Sequence, residues 1–124
     1  MDRGELERRT LEFSVKLVKT LKSLPKNLIN YKLSGQVIDS GTSIGANYRE
    51  ANGAESKKDF KHKISLSFKE SRETKYWLSI LKAANPEHNS DLQMLWSEAD
   101  EFARIFGTIV SSCNKNPDNQ QSQI

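Results

Sequence analysis

Few side chains in this sequence are equipped for chemistry, and their spacing gives catalysis little support. The histidines are His62 and His88, and the one cysteine is Cys113. A di-metal site in a helical bundle needs a glutamate from each of two helices and Glu-x-x-His from the other two. The position three before His62 holds Asp59, and His88 follows Pro86 in a loop. Glu70 and Glu73 stand one helical turn apart with Glu50 upstream, but no histidine accompanies them. These carboxylates are expected to pair with Arg49, Arg72, Lys69 or Lys75, or to bridge helices or subunits. Cys113 lies on an apolar stripe far from either histidine, the setting of a buried inert thiol rather than a nucleophile. A lone cysteine also excludes an internal disulfide and a cysteine-built zinc site. The serines show no partner pattern. The expectation is a non-enzymatic chain with no metal and no cofactor.

Charge carries the stronger signal. The chain has a net charge of +3, too small to argue for nucleic acid by itself, but it is unevenly spread. Residues 55–84 hold eight basic and four acidic side chains, whereas residues 85–124 hold two and six. Lys57, Lys58, Lys61, Lys63, Lys69, Arg72 and Lys75 cluster on one predicted helix. Lys16, Lys19 and Lys22 form a second strip at helical spacing. A basic strip on a helix face is the footprint of phosphate binding. These ten residues are therefore the candidate nucleic-acid contacts. The competing reading is that the lysines solvate outer helix faces while the acids of the last helix compensate them.

The elements that must position these residues are helices. Apolar residues recur at spacings of three and four, not two. The first helix, about 4–23, places Leu6, Thr10, Phe13, Leu17, Leu21 and Leu24 near one face, with Leu11 and Val18 widening the stripe. The second, about 27–51, carries Leu33, Val37, Ser40, Gly41, Ile44, Tyr48 and Ala51. The third, about 56–84, starts at Ser56, a plausible N-cap with Asp59 three residues on. It runs through Phe60, Ile64, Ser67, Phe68, Ser71, Thr74, Leu78 and Leu81 to Asn85-Pro86. The fourth, about 91–113, carries Leu92, Leu95, Trp96, Ala99, Phe102, Ala103, Phe106, Ile109, Val110 and Cys113. Short connections between four helices imply an all-α, antiparallel up-down-up-down four-helix bundle over residues 1–114. Residues 115–124 read as a polar disordered tail.

Two features point to packing beyond an ordinary core. Gly41 and Gly45 lie one turn apart inside the second helix, where each costs about 1 kcal/mol against alanine. The offset is expected to be close helix approach, inside the bundle or between subunits; the competing reading is a kink or a ligand contact. Tyr76 and Trp77 are adjacent on the third helix, so both cannot face one core. Tyr48 and Phe68 add apolar surface beyond what one small bundle is expected to bury, which points to self-association; the alternative is that they are core residues of generous stripes.

With 124 residues, 28% of them charged and 35% apolar, the chain supports one core and not two. Acidic and basic residues interrupt the first thirty positions where a signal peptide needs its apolar run. No stretch approaches the roughly 18 apolar residues of a membrane helix. The expectation is a soluble, cytoplasmic protein with no membrane partner.

The order of several pieces resembles a known family. They are Leu24-Pro25, Gln36, Ser43-Ile44-Gly45-Ala46-Asn47, Glu50-Ala51, Gly53, Ser56, Phe60, Lys63-Ile64, Lys69-Glu70, Glu73-Thr74 and Tyr76-Trp77-Leu78. This run, about residues 10–84, resembles the bacterial four-helix bundle proteins named after intervening sequences of 23S rRNA genes. They are related to the accessory variability proteins of diversity-generating retroelements. The resemblance implies a ring-like homopentamer without enzymatic activity. For the retroelement relatives, it implies binding to nucleic acid, RNA or DNA, and to a reverse transcriptase through a basic surface. It also implies that Asn47, Glu50, Glu70 and Glu73 hold helices or subunits together. Val37-Ile38-Asp39 departs from the basic residues that members often carry after the glutamine. The alternative to nucleic-acid binding is a ring that acts as a protein–protein scaffold.

Overall fold

The structure is a computed structural model that describes residues 1–115. Four helices follow one another: α1 Arg3–Ser23, α2 Leu28–Asn52, α3 Lys57–Ala84 and α4 Asn89–Lys115. A single 3-10 turn, Pro86–His88, joins α3 to α4. No strand occurs among the described residues. The expected tail lies, apart from Lys115, outside them.

Helices α1, α2 and α3 each begin where a side chain can satisfy the first amides. Asp2 Oδ1 accepts from the Glu5 amide at 2.8 Å, and Asn27 Oδ1 from the Asn30 amide at 2.8 Å. Ser56 Oγ accepts from the Asp59 amide at 3.0 Å, as its position in the sequence predicts. The fourth helix starts at Asn89, two residues before the expected 91. The reason is local. Pro86 cannot continue α3 but suits the first position of a turn. The His88 amide bonds the Asn85 carbonyl at 2.9 Å, and the turn runs directly into α4.

Around the bundle the order is α1, α2, α3, α4. Helix α3 packs along both α2 and α4, α1 packs on α2, and α1 meets α4 over the least surface. Helices α1 and α3 are therefore diagonal, as an up-down-up-down arrangement requires. The core runs from Leu6, Phe13 and Leu17 through Val37, Ile44 and Tyr48 to Ile64, Leu78, Leu95 and Phe102. Phe13 meets Phe102 edge-on, with centroids 5.6 Å apart, and Tyr48 packs on Phe106 at 5.4 Å.

Burial decides for the core reading at Tyr48 and Phe68 and departs from expectation at Leu11. Tyr48 is fully buried against Phe106 rather than part of an extra face. Phe68 is partly buried, covered by Arg72 and packed near Gly107. Leu11 is 53% exposed and does not widen the core stripe. It lies one residue beyond Thr10, which faces Gly45, so the rotation of α1 carries it outward.

The seams between helices hold small and polar groups. A Cβ at Gly41 would lie 2.3 Å from Leu17 Cδ2, and one at Gly45 would lie 2.9 Å from Thr10 Cβ. Both glycines thus admit α1 against α2 within one chain. Between α2 and α3, Ser67 Oγ donates to the Ile44 carbonyl at 2.9 Å, and Thr74 Oγ1 lies 2.9 Å from Ser40 Oγ. At one end of the bundle the buried Asn30 and Asn85 exchange two amide hydrogen bonds, both 2.8 Å. Asn30 Nδ2 also donates to the Pro25 carbonyl and Asn85 Nδ2 to Leu81. The amide pair ties the first connection to the third.

Candidate nucleic-acid interface

The ten basic candidates separate into three groups. The first group is paired. Lys63 Nζ lies 2.8 Å from Glu50 Oε1 across the α2–α3 seam. Lys75 Nζ lies 2.7 Å from Asp100 Oδ1 and 5.0 Å from the centre of the Trp96 ring. Arg104 holds the other Asp100 oxygen at 3.0 Å. The Lys75 and Arg104 hydrogen bonds keep the Asp100 carboxyl below the usual aspartate range. This pairing supports the compensation reading at Lys75, whose charge is spent inside the protein.

The second group lies towards the N-terminal and middle parts of α3. Lys57, Lys58, Lys69 and Arg72 are exposed and Lys61 is half-buried. Lys58, Lys61 and Lys69 form no ion pair among the described residues. Arg72 stacks over Phe68, its guanidinium 5.5 Å from the ring centre. Three acids of α4, Glu98, Asp100 and Glu101, are not at hand to cancel this face, because they are engaged elsewhere. Glu98 and Glu101 both take Arg9 of α1, at 2.7 and 3.3 Å. Asp100 takes Lys75 and Arg104.

The third group is the α1 strip. Lys19 and Lys22 are exposed, and Lys16 reaches α4, with Nζ 3.7 Å from Met94 Sδ. This strip does not join the α3 face. Thr10 faces Gly45, and Ser67 bonds the neighbouring Ile44, so Thr10 and Ser67 stand at one height. Lys19 lies nine residues above that level and Lys58 nine below. At 1.5 Å per residue these two are about 27 Å apart along the axis, whereas Lys16 and Arg72 stand nearly level; what separates the strip from the α3 face is that α1 and α3 are diagonal helices. One chain therefore presents two separate basic patches rather than one continuous surface.

The predicted packing residues fall into different surroundings. Gly41 and Gly45 are buried under α1. Asn47 Nδ2 donates to the Ser43 carbonyl in its own helix at 2.9 Å. Glu50 takes Lys63 rather than Arg49, and Arg49 reaches Glu7 at 3.6 Å. Glu70 sits beside Glu73 with no lysine or arginine ion pair among the described residues. Partial burial, reinforced by the hydrogen bond and charge of Glu73, raises its carboxyl above the usual glutamate range. Tyr76 is 61% exposed, and its ring stands 5.0 Å from that of Trp77, which packs partly on the core. Cys113 is buried, and that burial raises its thiol pKa.

The bridge from Arg9 to Glu98 and Glu101 is absent from the sequence-derived candidates. Its guanidinium also lies 5.3 Å from the Phe102 ring centre. The three-residue spacing of Glu98 and Glu101 was its one visible trace. Among the described residues, no group of three or more histidine, cysteine, aspartate or glutamate side chains is placed to hold a metal ion. No described helix is long and apolar enough to cross a membrane.

Comparison with known proteins places this geometry. Residues 5–108 match the family described as 23S rRNA-intervening sequence protein. A crystal structure of a protein of unknown function from the S23 ribosomal protein family of Bacteroides thetaiotaomicron superposes with a TM-score of 0.80. It is 32% identical, and the match covers 90% of this chain and 99% of that one. No curated protein matches the chain.

Proposed function

The chain belongs to the 23S rRNA-intervening sequence protein family, and we propose that it is a non-catalytic bundle that binds structured nucleic acid through the basic face of α3. One observation carries this reading. Lys58, Lys61 and Lys69 form no ion pair among the described residues, while Glu98, Asp100 and Glu101 of α4 are taken by Arg9, Lys75 and Arg104. Phosphate contacts require cations of this kind, accessible and uncompensated. The chemistry is electrostatic positioning and involves no bond making.

Self-association belongs to the same reading. The exposed Tyr76 beside Trp77 supplies an apolar contact outside the core, and the family resemblance points to a pentamer. Repeating one basic face around a ring turns a weak contact into a strong one through effective concentration. The second reading is a protein–protein scaffold, favoured by the spending of Lys63 and Lys75 on internal pairs.

The test is the variant Lys58→Glu, Lys61→Glu, Lys69→Glu, titrated into a labelled structured RNA and a duplex DNA of equal length. Loss of binding with an unchanged circular dichroism melt supports the α3 face. Wild-type affinity in the triple variant refutes it.

A further inference from the structure

The outer face between α1 and α2 carries a groove that the basic face does not explain. Its volume is about 1010 Å³, and it is open to solvent. Val18 and Leu21 of α1 and Leu28, Tyr31 and Ile38 of α2 form apolar walls. Leu28 and Tyr31 are 68% and 76% exposed, and Leu11 and Val15 continue the apolar strip along α1. Exposed apolar surface gathered in this way marks an interaction site.

Gly35 lies in this groove, in the middle of α2. Such a glycine costs about 1 kcal/mol against alanine. Gly41 and Gly45 offset that cost by admitting α1, but a Cβ at Gly35 would meet nothing within 4 Å. No described residue uses the space. A glycine beside an apolar groove is what the close approach of another backbone requires.

The rim is cationic. Lys22, Lys26 and Lys32 line it, and the lining contains one acid, Asp39. Lys26 donates to the Lys22 carbonyl at 2.8 Å, and Lys22 and Lys32 form no ion pair among the described residues. The α2 wall from Leu28 to Asp39 is about 18 Å long, some three turns of helix. We propose that this groove docks an amphipathic helix of another protein. Its apolar stripe crosses Gly35, and acidic residues along its flanks face Lys22, Lys26 and Lys32.

The alternatives fit less well. A nucleic-acid duplex offers phosphates to the rim but keeps its bases stacked away from the apolar walls. A second copy would need a free, acid-flanked apolar helix. The acidic helix of this chain, α4, has its apolar face buried in the core and Glu98, Glu101 and Asp100 paired with Arg9 and Lys75.

The test uses two synthetic helical peptides of about five turns. They share one leucine stripe, flanked by glutamates in one and lysines in the other. Each is titrated by fluorescence anisotropy into the wild-type chain, Gly35→Trp, and Lys26→Glu combined with Lys32→Glu. Gly35→Trp fills the groove where there is open space, so its melt should match the wild type or exceed it. The expected result is binding of the glutamate peptide alone, weakened about tenfold or more by either variant, a loss near 1.4 kcal/mol. Equal binding of both peptides, binding of neither, or wild-type affinity in Gly35→Trp overturns the proposal. A fall in particle mass by light scattering in Gly35→Trp also overturns it, by showing that a second copy fills the groove. None of these substitutions touches Lys58, Lys61 or Lys69, so the two proposals fail separately.

Discussion

Three glycines in one helix allow packing to be measured against propensity. Replacing Gly35, Gly41 or Gly45 with alanine gains about 1 kcal/mol of helix propensity at each site. At Gly35 nothing opposes that gain, because a Cβ there meets open space. Gly35→Ala should stabilise the chain by about 0.5–1 kcal/mol. At Gly45 the new Cβ meets Thr10 Cβ and Oγ1 at 2.9 Å and the Thr10 backbone carbonyl carbon at 3.6 Å. The Thr10 Cβ and carbonyl carbon are fixed to the α1 backbone, so the helix itself must move. Overpacking of this kind costs about 1–3 kcal/mol. Propensity cancels in the comparison, so Gly45→Ala should fall below Gly35→Ala by that same 1–3 kcal/mol. Gly41→Ala should lie between them, because its clash is with Leu17 Cδ2, the end of a side chain. Urea unfolding followed by circular dichroism reads these differences, with unchanged m-values as the control. Equal stability of Gly35→Ala and Gly45→Ala would refute the claim that α1 seats on the second-helix glycines. Gly41→Leu and Gly45→Leu should disrupt packing further.

Other consequences are open to direct measurement. Asn85→Ala leaves the buried Asn30 amide short of its partner and should cost about 1–3 kcal/mol. Adding Asn30→Ala should cost less than the two single changes together, and strict additivity in a double-mutant cycle would contradict the pairing. Arg9→Met removes both acid contacts and the ring contact with Phe102, and urea unfolding should show a loss of about 1 kcal/mol, shrinking in high salt. Glu70 is held above the usual glutamate range, chiefly by burial and then by Glu73. In that window the folded chain binds more protons than the unfolded one, so this group weakens the fold as pH rises through it. Glu70→Gln should therefore raise the melting temperature at neutral pH, with the advantage vanishing below about pH 4. An advantage independent of pH would rule out the charge as its cause.

The fold was legible because helical periodicity is a local property. Phe60, Ile64, Ser67, Ser71, Thr74 and Leu78 recur by turns, and all of them are buried. The Ser56 cap was readable for the same reason, since its partner lies three residues on. Pairings across the chain were not readable. Nothing local links Asn30 to Asn85, or Arg9 to Glu98, because those contacts depend on which helices become neighbours. The basic candidates show this most clearly. Lys63 and Lys75 look like Lys58 and Lys69 in the sequence, yet Glu50 and Asp100 claim the first two. Leu11 read as core because its spacing fits a wide stripe, but its direction was set by where Thr10 meets Gly45. Gly35 could be told apart from Gly41 and Gly45 only once α1 had been placed, because a Cβ there meets open space.

The measurement that bears most directly on the central claim is the salt dependence of nucleic-acid binding. Duplex DNA and a structured RNA are each titrated with the wild-type chain and with Lys58→Glu, Lys61→Glu, Lys69→Glu. Four phosphate contacts on a duplex would lower affinity about a hundredfold between roughly 50 and 200 mM salt. The account predicts a slope of that order for the wild type and a loss of about three contacts' worth in the variant. Binding that ignores salt, or a slope the variant leaves unchanged, would contradict it.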